Sequence, residues 1–170
     1  MNILLINPLC RMPALIPLGL GYVASVLRQM GHKLFLIDLN VEPKSLSVLE
    51  RELDTLDYEV IGIGGLSTTY NFVKEFSTLA KKIKPKAKII AGNMVSTANP
   101  ELLLQNSNVD ICVIDEGEET VSELIYKIGD FPILENQIGK LLNLTVDWNR
   151  KKDEITHIPG LIRDFYLIKT

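Results

Sequence analysis

Residues 61–72 read IGIGGLSTTYNF, so an apolar run ends in Gly64 and Gly65 and passes into Ser67, Thr68 and Thr69. Glycine lets a ligand approach the backbone, and short hydroxyl side chains donate and accept hydrogen bonds without filling the space in front of them. A second stretch of this kind runs from Gly92 through Asn93 and Met94 to Thr97, with a glycine and an asparagine that suit a tight or left-handed turn. A third, from Asp115 to Thr120, sets Glu116, Glu118 and Glu119 around Gly117 ahead of a helical pattern. Acids there suit a helix dipole, and the first two stretches also read as ordinary helix starts. What groups the three as one candidate binding edge is that each follows a short apolar run of the kind that forms a buried strand.

Several chemistries are excluded by the same residues. A dinucleotide fingerprint needs G-x-G-x-x-G directly after the first strand, where this chain reads NPLCRMP, and Gly19 and Gly21 come about a dozen residues late. No G-x-x-x-x-G-K-[ST] loop is present, and the third apolar run ends in glycines where a phosphate-accepting receiver domain needs an aspartate. The two histidines, His32 and His157, have no second ligand at metal spacing, and Cys10 and Cys112 are the only cysteines, so no C-x-x-x-C-x-x-C iron–sulfur site exists in this chain. With 18 basic and 21 acidic residues interspersed and a net charge of -3, nucleic acid is not an expected partner. Neither a signal peptide nor a run of about 18 apolar residues is seen, so a soluble, cytoplasmic protein with reduced cysteines is expected.

The elements that must position these loops follow from apolar periodicity. Strands are expected at 3–6, 33–39, from Glu59, from Ala87 and from Asp110. Between them Leu20, Val23, Ala24 and Leu27 form one helical face, Leu46, Leu49, Leu53 and Leu56 a second, and Phe72, Phe76, Leu79, Ala80 and Ile83 a third. Asn99 and Pro100 open a short fourth helix, and Glu119, Val121, Leu124, Ile125 and Ile128 mark a fifth. Strands alternating with helices predict a three-layer, doubly wound α/β fold, flavodoxin-like or Rossmann-like, with five parallel strands in the order 2-1-3-4-5. Leu4, Ile37, Ile61, Ile90 and Val113 are expected inside the sheet. Ligands of such folds bind beyond the carboxyl ends of the strands, which is where the three stretches fall.

The run PLGLGYVASVL from Pro17, GLSTTY from Gly65, the turn from Gly92 to Thr97 and DICVIDEGEET from Asp110 resemble the cobalamin (vitamin B12)-binding domain found N-terminal to radical S-adenosylmethionine (SAM) enzymes. The resemblance spans residues 1–128, and IPGLIRD in the tail is similar to a hairpin that follows in those proteins. It implies that cobalamin lies against the carboxyl edge of the sheet, bound by Leu9, Cys10, Leu66, Ser67, Thr68, Thr69, Gly92, Asn93, Met94, Thr97, Glu116, Gly117 and Glu118. Within that set Ser67 and Thr68 would meet the nucleotide tail, Gly92 and Asn93 would pass close to it, and Glu116 with Gly117 would touch the amide arms of the corrin. The family usually has a second glycine where Asn93 stands, often a histidine at Val95, and a glycine at Asp115.

The D-x-H-x-x-G loop of other cobalamin domains is absent after the first strand, so cobalamin is expected base-off, with no histidine ligand. No catalytic residue or protein metal ligand is expected here. The iron–sulfur cluster and SAM would belong to a radical SAM catalytic domain, methyltransferase-like, acting in cis or in trans. A flavin-binding flavodoxin-like domain and a degenerate domain that only mediates assembly are the alternatives. Residues 129–170 are expected to form a helical excursion, a charged turn at Asn149 to Glu154, and a hairpin-like pair near Ile155 and Leu161 to Ile168.

Overall fold

The computed structural model describes residues 1–10, 17–114, 117–130 and 166–168. The strands are β1 (Asn2–Asn7), β2 (Lys33–Asp38), β3 (Val60–Gly64), β4 (Lys88–Gly92), β5 (Ile111–Val113) and β6 (Tyr166–Ile168). The helices are α1 (Leu18–Gln29), α2 (Leu46–Thr55), α3 (Tyr70–Ile83), α4 (Met94–Thr97), α5 (Pro100–Asn106) and α6 (Glu118–Asp130), and a single 3-10 turn, Ser67–Thr69, leads into α3.

The sheet order is β2-β1-β3-β4-β5-β6, and the first five strands pair in parallel in the expected 2-1-3-4-5 arrangement. β6 adds a sixth strand, antiparallel to β5, with Ile111 opposite Ile168. The expected partner of that strand near Ile155, the helical excursion beyond Asp130 and the charged turn lie outside the described residues.

Successive side chains of a strand point to opposite faces, and β1 shows the consequence. Ile3 and Leu5 enter the core formed with Leu27 of α1 and Leu124 and Ile125 of α6. Leu4 and Ile6 enter the other core, with Leu49 and Leu53 of α2, Val73, Phe76 and Ala80 of α3, and Leu103 of α5. Both faces are covered, which explains the unbroken apolar run of β1, and the five residues expected inside the sheet are all buried. Phe76 is fully buried with its ring stacked 5.7 Å from that of Phe72, a contribution of roughly 2–3 kcal/mol from burial alone.

The loops that join strand ends to helix starts follow local chemistry. Asn99 caps α5, its Oδ1 accepting the Leu102 amide at 3.0 Å, with Pro100 at the first helical position as expected. At the amino edge, Asp110 anchors β4 and β5 together. Its Oδ2 accepts the Ile89 amide at 2.7 Å and pairs with Lys81 Nζ at 2.8 Å. Among the described residues, no helix is long and apolar enough to cross a membrane.

Candidate functional site

Because β1, β3, β4 and β5 are parallel, the loops that follow them emerge at one edge, and β1 lies between β2 and β3, where the chain reverses its direction of winding. That reversal is the place where open α/β sheets bind ligands.

The loops after β3 and β4 are joined. The Val95 amide donates to the Gly65 carbonyl at 2.9 Å, and Ser67 Oγ reaches toward the Met94 carbonyl at 3.4 Å. Of the three hydroxyl residues, Ser67 and Thr68 are exposed, but Thr69 is buried and donates from Oγ1 to the Leu66 carbonyl at 2.7 Å. No side-chain hydrogen bond caps the 3-10 turn or α3, so capping does not account for the three hydroxyls. Gly65 is a glycine for an internal reason, because a Cβ there would collide with Thr69 Oγ1 and press on the ring of Pro8.

Gly64 and Gly92 end their strands side by side in register. A Cβ on Gly92 would meet nothing within 4 Å, and one on Gly64 would meet only the Asn93 Cβ, at 3.8 Å. The pair leaves a side-chain-free notch at the sheet edge. Beyond it Asn93 adopts φ 64 and ψ -165, a region that is essentially glycine-only and costs about 1–3 kcal/mol. The conformation is held by the Asn93 Oδ1, which accepts the Met94 amide at 2.7 Å, and by the Asn93 carbonyl, which accepts the Ser96 and Thr97 amides, each at 2.9 Å. The four-residue helix α4 that follows was not visible in the sequence, where this segment reads as a turn.

Around the notch Leu9 is 44% exposed and Met94 48%, both high for large apolar side chains. Cys10, Leu66, Gly92 and Thr97 are half-buried and Asn93 is exposed. Val95 is buried in the core beneath α4. Gly117 is half-buried and its carbonyl accepts the Val121 amide at 2.7 Å, which starts α6 at Glu118. Glu116 lies outside the described residues. Loop residues 8–10, 65–69 and 93–99 contain no Lys, Arg, Asp or Glu, so the edge they form offers hydroxyls, amides and apolar surface without charge.

Behind α4, the Ser96 hydroxyl is buried with no well-formed hydrogen bond among the described residues. It lies beside the Cys112 thiol, whose pKa burial pushes up from 9.0 to about 11, an effect the Ser96 hydroxyl partly offsets. A thiol so held is a small hydrophobe and not a nucleophile. His32 stands just before β2, at the opposite, amino edge. Burial lowers its pKa first, the N-terminal amine lowers it further, and Glu59 acts the other way.

Sequence reasoning missed one part of this edge. Asp38 and Asn40, at the end of β2, bind the loop after β1: Asn40 Nδ2 donates to the Pro8 carbonyl at 2.8 Å, and Asn40 Oδ1 accepts the Cys10 amide at 2.8 Å. The signal was the polar ending of two apolar runs, INP and IDLN, which brings Asn7 and Asp38 opposite each other.

Fold and edge together define a doubly wound α/β domain whose carboxyl edge carries an open, uncharged notch. The chain belongs to the B12 binding domain family, whose model matches residues 9–125. Its fold is similar to that of the radical SAM methyltransferase TsrM from Kitasatospora setae. The match is 18% identical with a TM-score of 0.68 and covers 76% of this chain, both for the structure with tryptophan substrate and a SAM analogue and for the one with cobalamin and a [4Fe-4S] cluster. It is also similar to that of the cobalamin-dependent SAM radical enzyme OxsB, at 24% identity and a TM-score of 0.61 over 78% of this chain. The matched region spans only 26%, 24% and 19% of those three chains. Among curated proteins no relative matches the chain in sequence.

Proposed function

We propose that this chain holds cobalamin base-off at its carboxyl edge and presents it to a radical SAM catalytic domain of the methyltransferase kind, in cis or in trans. The observation that carries the reading is the uncharged notch at Gly64 and Gly92, flanked by the exposed Ser67, Thr68, Leu9 and Met94. Those residues fit the group: the glycines admit a bulky tail, the hydroxyls and the backbone pair with amide and phosphodiester oxygens, and Leu9 and Met94 meet the apolar rim of a macrocycle. Asn93, Thr97, Gly117, Glu116 and Glu118 are assigned to the same edge. Cobalamin, when bound, supplies a cobalt-centred methyl carrier. The chain's own part is to bind and orient it and to keep water from one of its faces.

Base-off binding without a histidine beneath cobalt is supported by His32 lying at the amino edge, on the far side of the sheet. We assign the iron–sulfur cluster and SAM to the catalytic domain, and residues 129–170 to an extension leading toward it. The free thiols of Cys10 and Cys112 accord with a reducing cytoplasm.

The test is titration of the purified chain with hydroxocobalamin, followed by visible absorption, then reduction and electron paramagnetic resonance. A saturable red-to-yellow shift and a cobalt signal without nitrogen superhyperfine splitting are expected. Nitrogen splitting would refute the ligation, and an unchanged spectrum would refute cofactor binding and leave assembly as the role. Saturable quenching of flavin mononucleotide fluorescence, with no response to hydroxocobalamin, would turn the assignment to a flavodoxin-like domain.

A further inference from the structure

β2 supplies none of the residues expected to touch the cofactor, yet its end controls a loop that does. The β1–β2 pairing stops at Asn7 and Asp38, with the Leu39 amide donating to the Asn7 carbonyl at 3.0 Å. Past that point Pro8 has no N–H to offer, so the sheet ladder cannot hold residues 8–10. We propose that Asn40 is the positioning residue that holds this loop and sets Leu9 and Cys10 against the bound cofactor, an inference that rests on the cobalamin reading.

The geometry requires a carboxamide. Asn40 Nδ2 donates to the Pro8 carbonyl while Oδ1 accepts the Cys10 amide, both at 2.8 Å, so one planar group grips the backbone on either side of Leu9. Donor and acceptor on one short side chain are what asparagine offers and what alanine and aspartate lack. The grip is itself oriented. Asp38 Oδ1 accepts the Asn40 amide and Asn7 Nδ2, each at 2.9 Å, and Asn40 Nδ2 at 3.3 Å, so the carboxamide cannot flip without facing an acceptor with an acceptor. Leu9, between the two gripped backbone groups, projects 44% exposed at the ligand edge.

The experiment compares wild type, Asn40→Ala and Asn40→Asp in three measurements: exchange of the Cys10 amide by NMR, hydroxocobalamin affinity, and melting temperature. Asn40→Ala should speed Cys10 amide exchange at least tenfold while the Leu4 and Ile61 amides stay protected, and should weaken hydroxocobalamin binding at least tenfold in the folded protein. Asn40→Asp keeps an acceptor for Cys10 but sets a carboxylate oxygen against the Pro8 carbonyl and Asp38 Oδ1, so its exchange should be at least as fast and its affinity at least as weak as in the alanine variant. A lower melting temperature with affinity within threefold of wild type would overturn the proposal, as would unchanged Cys10 exchange in Asn40→Ala. If wild type itself takes no hydroxocobalamin the cofactor reading falls, and with it the cofactor half of this inference, whereas the exchange measurement alone then decides whether Asn40 holds the loop.

Discussion

Replacement of Asn93 separates backbone strain from side-chain capping at the ligand edge. At φ 64 and ψ -165 the residue lies outside the left-handed helical region where asparagine is tolerated, so the strain is close to what any residue with a Cβ would feel. Glycine at this position removes about 2 kcal/mol of strain. It also loses the exposed Oδ1 bond to the Met94 amide, about 0.5–1 kcal/mol. A further 0.5–1 kcal/mol, roughly, goes to the greater freedom of glycine in the unfolded chain. The balance is a net gain of up to about 1 kcal/mol for Asn93→Gly. Asn93→Ala keeps the strain and loses the bond, so it should be destabilised by about 0.5–1 kcal/mol. The two variants then differ by about 1–1.5 kcal/mol, or roughly 2–6 °C in melting temperature for a chain of this length. Thermal denaturation followed by circular dichroism measures the order, which should be glycine above asparagine above alanine. If the glycine variant melts at or below the alanine variant, capping governs this turn and the strain argument is wrong.

Two glycines should respond oppositely to a single methyl group. A Cβ on Gly62 would sit 2.8 Å from Leu5 Cδ2 inside the core, so Gly62→Ala should lose about 1–3 kcal/mol by chemical denaturation with the cofactor affinity of the folded fraction intact. Gly92→Ala meets open space, so its stability should stay within about 0.5 kcal/mol while cobalamin affinity falls; equal affinity to wild type would show that the notch is not occupied. Ser67→Leu, at an exposed position with one long contact, should likewise leave the melting temperature near wild type and weaken cobalamin binding more than tenfold, and affinity within threefold would remove Ser67 from the site. Burial first, and the charge of Asp54 second, push the Tyr58 phenol from 10.0 up to about 12. The folded state thus favours the neutral phenol, so the Tyr58 contribution is full below pH 10 and falls by about 2 kcal/mol as pH rises to 12, on top of the fall that the Cys112 thiol gives from pH 9 to 11. Denaturation curves of Tyr58→Phe should keep only the Cys112 part of that fall and so lose less stability between pH 10 and 12, and identical slopes for both proteins would refute the assignment.

The fold was legible because burial on both faces of a parallel sheet writes itself as short continuous apolar runs, such as Ile3 to Ile6, and helices that cover it must repeat their apolar residues at helical spacing. Strand order followed from the same pattern, since alternating strands and helices admit few windings, and the edge at which Gly65, Gly92 and Gly117 gather followed from strand direction. β6 was foreseen as a strand, but its pairing with β5 depends on contacts across more than fifty residues that no local pattern encodes. Tertiary structure alone sorted the residues within each loop. Ser67, Thr68 and Thr69 look alike in sequence, yet the tight approach of Thr69 to Gly65 turns its hydroxyl inward to the Leu66 carbonyl while the other two face solvent. Asn93 was read as one of two turn residues, and only the packing of α4 against the loop after β3 forces it, and not Gly92, into positive φ. Asn40 showed in the sequence only as the polar end of an apolar run, and its partners did not, because Pro8 and Cys10 are about thirty residues away and meet it only where two parallel strands end together. Periodicity reports which way a side chain faces; which partner it then finds is set by how neighbouring strands end, and that is a property of the assembled sheet.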